Sequence, residues 1–178
     1  SSGPNPSGGA YVPSMDPASA TQVLMPSIVG TAIEVLTLVS PRTDVTITTA
    51  TTLNISTIKG GTGSLYLTIR DSNYNLIAVT AAVTNPIAND KLTLPLASIY
   101  KPLTQEAVSA YTLTSGTQYY IGLWTSVSGA TYLGSTCSVL TAAVPHPGHI
   151  FTSLSAVTPT LSGGSESQMR IYCAIEQD

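Results

Sequence analysis

From Ile33 onward the chain reads as short runs of β-branched and aromatic residues separated by turns, with no long stretch of helical period between them. Parallel strands need crossover connections of a dozen or more residues, usually helical, so strands joined this tightly run antiparallel. Ile33 to Val39 begins as an apolar run broken by Glu34, Val45 to Thr48 alternates, and Leu53 to Ile58 follows before the turn Lys59 to Gly63. Leu65 to Arg70 puts Leu65, Leu67 and Ile69 on one face and Tyr66, Thr68 and Arg70 on the other. Asp71 to Asn75 is a turn by composition and leads into Leu76 to Thr80. Leu92 to Leu96 alternates around Pro95, which cannot donate to a ladder and predicts an edge or a bulge. Ile99 to Ala110 is the least regular stretch, with a short helical turn expected around Gln105 to Val108. Tyr119 to Trp124, Thr131 to Leu140, Ile150 to Leu154 and Gln168 to Ile175 complete a set of about nine or ten strands. Two antiparallel sheets must pack face to face to bury the apolar sides, which predicts an all-β antiparallel β-sandwich, jelly-roll-like or of related Greek-key type.

Residues 1–31 differ from everything after them. Pro4, Pro6, Pro13, Pro17 and Pro26, with Gly3, Gly8 and Gly9, interrupt any period. The reading is an extended arm over 1–31, serving docking or oligomerisation, ahead of a sandwich domain over 32–178. Its apolar handles are Tyr11, Val12, Val23, Leu24 and Met25, offered either to the body of its own domain or to a neighbouring subunit. On this reading, deletion to about Ala20 leaves the sandwich folded and abolishes assembly.

Only fifteen of 178 residues are charged, six Lys/Arg and nine Asp/Glu, whereas 22 are Ser and 26 are Thr. A surface solubilised by hydroxyls suits a pleated sheet and lacks the clustered titratable groups of acid/base chemistry. The net charge of −3 and pI near 5.1 argue against nucleic acid as a partner. No run of eighteen or more apolar residues predicts a membrane span, and no basic, then apolar N-terminus predicts a signal peptide. Cys137 and Cys173 lack the spacing of a zinc or redox pair, so buried free thiols are expected in preference to a disulfide.

Several residues invite chemistry, and each has a plainer reading. His146-Pro-Gly-His149 has no neighbouring Cys, Asp or Glu and reads as a proline-rich loop rather than a metal site. Asp71, Asn73 and Asn75 have the spacing that opens a calcium loop but lack its glycine and closing Glu, so a hairpin turn is expected. Gly60, Gly61 and Gly63 lack the Lys-Ser/Thr of a phosphate loop, and Glu34, Glu106, Glu166 and Glu176 form a glycosidase pair only if the fold brings two together. With no catalytic motif and no cofactor or metal set, a non-enzyme is expected. Tyr66, Tyr74, Tyr119, Tyr120, Trp124 and Tyr132 are the aromatic inventory. A pyranose stacks on exposed rings, and the Tyr119 to Trp124 strand with Gln118 offers such a face; the alternative is that these rings serve core and subunit contacts. Should the strand prove buried, Asn73, Tyr74 and the His146–His149 segment are the next candidates.

Tyr111-Thr-Leu-Thr-Ser-Gly-Thr-Gln-Tyr-Tyr-Ile-Gly-Leu-Trp124, preceded by Leu67-Thr-Ile-Arg-Asp-Ser-Asn-Tyr-Asn-Leu-Ile-Ala78, resembles a pattern of jelly-roll modules in bacteriophage virion proteins. The resemblance covers roughly Ser64 to Leu140, and secreted carbohydrate-binding sandwiches share some of its wording. It implies a protein on the virion surface, made in the host cytoplasm without a signal peptide. A tail-fibre or receptor-binding component is the first expectation, with capsid decoration and a freestanding carbohydrate-binding module as alternatives. Implied partners are further copies of the chain, in a closed trimer, other virion proteins reached through the arm, and a host surface glycan.

Overall fold

The computed structural model describes residues 9–28, 30–136 and 146–177. Among these, seventeen strands follow in chain order: β1 (Tyr11–Pro13), β2 (Thr21–Leu24), β3 (Ala32–Val39), β4 (Val45–Ile47), β5 (Thr52–Lys59), β6 (Ser64–Arg70), β7 (Leu76–Thr80), β8 (Val83–Thr84), β9 (Asp90–Tyr100), β10 (Ala107–Val108), β11 (Tyr111–Leu113), β12 (Tyr119–Thr125), β13 (Thr131–Thr136), β14 (Gly148–Leu154), β15 (Ser165–Glu166), β16 (Met169–Ile171) and β17 (Cys173–Glu176). One 3-10 turn, Pro17–Ser19, is capped by Asp16. All strand pairs among the described residues are antiparallel.

The fold is an all-β sandwich. In one sheet β5 takes β9 on one edge, and on the other takes β17 along its first half and β13 at its end. β1 continues beyond β17, while β2 and β16 flank β13. The second sheet runs β10-β9-β7-β6-β12-β3-β14-β15, and β4 with β11 forms a separate ribbon. Strand β9 belongs to both sheets: Pro95 is the last residue opposite β5, and Leu96 the first opposite β7, where the register shifts. The expected irregularity at Pro95 is thus a corner, placed where a missing N–H costs least. Between the sheets, Leu53, Ile55, Tyr132, Ile171, Cys173 and Ile175 pack against Val35, Leu67, Ile69, Ile121 and Leu123.

Three expectations change. The segment over 1–31 is not a free arm where it is described. β1 pairs with β17 and β2 with β13, and Val12, Val23 and Met25 are buried in the chain's own core. Two strands of three and four residues are too short to leave a periodic signature, and what recruits them is the unpaired edges of β17 and β13. The stretch around Gln105 to Val108 is a hairpin, not a helical turn. Gln105 has φ of 60°, which a right-handed helix does not accept, and its Nε2 donates to the carbonyls of Leu76 and Pro102. The run Gln168 to Ile175 divides at Tyr172 into β16 and β17, each with its own partner. Of the run Thr131 to Leu140, residues 137–140 lie outside the described part, as does Cys137. Cys173 is a free thiol, and burial pushes it up to about 12.

The second sheet has an outer face that is also covered. Residues 155–164 form a strap across it: Arg70 Nη2 donates to the Thr158 carbonyl, Leu76 N to that of Pro159 and Leu161 N to that of Tyr74. Leu161 buries itself with Leu36, Tyr120 and Phe151. Beneath the strap, Arg70 forms a two-pronged ion pair with Glu34, Nε to Oε2 at 2.6 Å and Nη2 to Oε1 at 3.1 Å, both side chains 0% exposed. Thr68 Oγ1 donates to the same Oε2 at 2.7 Å. Gly122, opposite Leu36 and Thr68, makes the room: a Cβ there would overlap the Glu34 carboxylate and the Thr68 hydroxyl.

Candidate functional site

Alternation along β12 works as expected, with Tyr119, Ile121 and Leu123 facing the inter-sheet core and Tyr120 on the opposite face. Both faces, however, are buried. Tyr119 is 4% exposed, Tyr120 0%, Trp124 6% and Tyr132, on β13, 0%. Tyr119 Oη accepts from Thr114 N, Tyr120 Oη donates to the His146 carbonyl, and Trp124 meets Tyr66 edge-on at 5.1 Å. Burial pushes the Tyr120 phenol well above its ordinary range and the Tyr132 phenol up to about 12. These four rings are core, and the aromatic platform expected on this strand is not at the surface. Tyr119 and Tyr132 lie between the two sheets, and on the outer face, which alternation alone leaves open, the strap closes over Tyr120 through Leu161.

The arm handles are likewise redistributed. Val12, Val23 and Met25 are buried, and the Tyr11 hydroxyl is 2.6 Å from that of Tyr172. Docking through Val12, Val23 and Met25 is therefore corrected to core packing, while Tyr11 is partly buried against Tyr172. Leu24 alone stands out at 66% exposed, beside an open groove lined also by Met25, Pro26, Ile150 and Met169.

Tyr74 remains, and it sits at the centre of a cluster that alternation does not reveal. Asp71 builds the turn that presents it: Oδ1 accepts from the backbone N–H groups of Asn73 and Asn75, and Oδ2 from Asn75 Nδ2. The carboxylate is thus occupied in closing a hairpin, in keeping with the turn reading over the calcium one. The Asn75 side-chain oxygen, in turn, accepts from Thr160. Tyr74 has φ of 68°, a left-handed conformation that is strained for an aromatic residue and persists only where surroundings enforce it. Here the Tyr74 carbonyl accepts from Arg70 Nη1 at 2.9 Å. Its ring packs 4.9 Å from His149, 5.0 Å from Phe151 and 5.7 Å from Tyr120.

His146-Pro-Gly-His149 is a loop only in its first half. His146 is buried, with Nδ1 2.6 Å from the Gly148 carbonyl, whereas Gly148 and His149 belong to β14. His149 lies across from Leu36 in β3 and Glu166 in β15, half-buried, with Nδ1 3.4 Å from the Tyr74 hydroxyl. Burial pushes its imidazole below the ordinary range, and Glu166 pulls the other way. Glu166 is itself partly exposed and has no hydrogen-bond or ion-pair partner for its carboxylate among the described residues. The other three glutamates are spoken for, Glu34 by Arg70, Glu106 by Lys101 and Glu176 by Asn54. Among the described residues no three of His, Cys, Asp or Glu gather into a metal-ligand set, and no helix is long and apolar enough to cross a membrane.

Sequence reasoning named Tyr74 and the histidine segment but missed Phe151 and Glu166 as their neighbours. Their placement depends on which strands lie side by side, and a single turn and a two-residue strand carry no signal of that. Compared with protein-family models and with curated proteins, the chain matches none.

Proposed function

We propose that this chain is a non-enzymatic structural protein of a bacteriophage particle, exposed on the particle as a tail-fibre or receptor-binding component. The observation that carries the reading is that its two virion-like segments, distant in sequence, are neighbours in space. The hairpin Leu67 to Ala78 supplies the second half of β6 and the first three residues of β7, and Tyr119 to Trp124 makes all but the last residue of β12, the two segments pairing from Tyr120↔Arg70 to Leu123↔Leu67. The shared residues work together: Gly122 clears space for the ion pair that Arg70 makes, and Tyr120 lies beneath the ring of Tyr74. A resemblance that folds into one coherent unit of sheet is a stronger pointer than the same residues scattered. A jelly-roll connectivity belongs to this reading as well.

Antibody against the protein is expected to label purified phage particles at the tail. Label over the head instead makes it a capsid decoration protein, and absence of label from particles overturns the virion assignment.

A freestanding carbohydrate-binding module is the second reading. It is favoured by the integration of β1 and β2 into the sandwich, which leaves no docking arm in the described part for a particle to hold. Assembly separates the two. A virion component of this kind is expected as a closed trimer, three times the 18.4 kDa chain by light scattering at micromolar concentration, whereas the freestanding module is a monomer.

A further inference from the structure

We propose that Tyr74, His149 and Glu166, with Asn73 at their rim, form a binding platform for a neutral pyranose. The proposal deepens the attachment reading and rests on it for the source of the sugar, a host surface glycan.

Three features converge on a saccharide. Two partly exposed rings, Tyr74 and His149, meet 4.9 Å apart and leave some apolar area at the surface, the kind that stacks on the C–H face of a sugar. Beside them Glu166 offers an acceptor with no partner among the described residues, and a carboxylate that only accepts is matched by a hydroxyl that donates. Asn73, exposed on the adjacent turn, adds an amide that both donates and accepts. Finally, the platform is already rigid. Tyr74 is fixed by Asp71, Arg70 and the rings of Tyr120 and Phe151, so binding orders little that is not ordered already.

An ammonium group is the competing occupant, since aromatic rings beside a carboxylate also suit a cation. A cage needs several ring faces turned on one point, and here Phe151 and Tyr120 are buried, packed against Tyr74. Of this cluster only Tyr74 and His149 reach solvent, tilted 34° to each other, which suits stacking on a ring face better than a box.

Saturation-transfer NMR on the whole chain tests this with lactose, maltotriose and chitotriose as probes and tetramethylammonium as the competitor. At least one saccharide is expected to receive transfer, with affinity falling roughly tenfold in His149→Ala and several-fold in Glu166→Gln. Glu166 is partly exposed and unpartnered among the described residues, so thermal unfolding of Glu166→Gln should match the parent, whereas His149→Ala gives up contacts with Tyr74 and Phe151 and its binding is read well below its own midpoint. Tyr74→Phe, which keeps the ring, should retain most of the binding even if Tyr74→Ala unfolds. The proposal is overturned if none of the three saccharides responds, if only tetramethylammonium does, or if His149→Ala and Glu166→Gln bind like the parent. Particle labelling in parallel tells the two readings apart. Labelled particles with no saccharide response remove the platform alone, and a saccharide response without labelling removes the virion assignment alone.

Discussion

A chain shortened to begin at Ser27 is expected to lose its cooperative unfolding transition. The segment it lacks carries Val12, Val23 and Met25, all in the inter-sheet core, and each such side chain is worth about 1.5–3 kcal/mol by burial. Native domains hold only about 5–15 kcal/mol in total. The loss also strips the edges of β17 and β13, which β1 and β2 pair, and leaves polar groups behind. Ser14 joins both sides of this seam, since its Oγ accepts from Cys173 N and donates to the Ile171 carbonyl, while its own N–H donates to the Cys173 carbonyl. The point variant Met25→Ala gives the graded form of the same result, a loss of about 2–5 kcal/mol read from the urea midpoint. A truncated chain with the parent's sharp transition would return this segment to the role of a detachable arm.

The contrast with the arm expected from the sequence shows where pattern reading succeeds and why it stops. Leu65 to Arg70 and Tyr119 to Trp124 alternate cleanly, and both fall on strands with the expected faces. Strands this long carry their own signal, because one face repeats several times. Tyr11–Pro13 and Thr21–Leu24 contain one buried residue each, so nothing repeats, and their strand character comes from the edges they meet. The buried outer sheet face is the same problem at larger scale. Tyr120 and Trp124 belong by alternation to the face away from the core, and the strap that contributes to covering it is an irregular Ser/Thr/Gly/Pro segment with the composition of a surface loop. One hint was present: Glu34 in the apolar run of β3 is a charge that cannot be buried alone, and so implied a cationic partner on a neighbouring strand. Tyr74 was legible as a turn residue, but its contacts with His149 and Phe151 required knowing that β14 closes against β3.

That charge sets the second large effect. Arg70→Met is expected to cost about 3–5 kcal/mol, because it leaves the Glu34 carboxylate in a site 0% exposed with Thr68 as its remaining donor. The same substitution releases the carbonyls of Tyr74 and Thr158, so the strap loosens with the ion pair. Amide exchange should therefore quicken at Leu76 and Leu161, whose N–H groups donate to Pro159 and Tyr74, before it changes in the inter-sheet core. Gly122→Ala strains the pair from the other side, and overpacking of this kind costs about 1–3 kcal/mol. Replacing both partners, Glu34→Leu with Arg70→Met, removes the stranded charge and should regain most of the loss, short of the parent by what the two strap carbonyls contributed. An Arg70→Met protein within about 1 kcal/mol of the parent would mean that the pair behaves like an exposed one. The outer face would then have to be open to water, and Tyr120 and Trp124 would return as candidates for a surface platform.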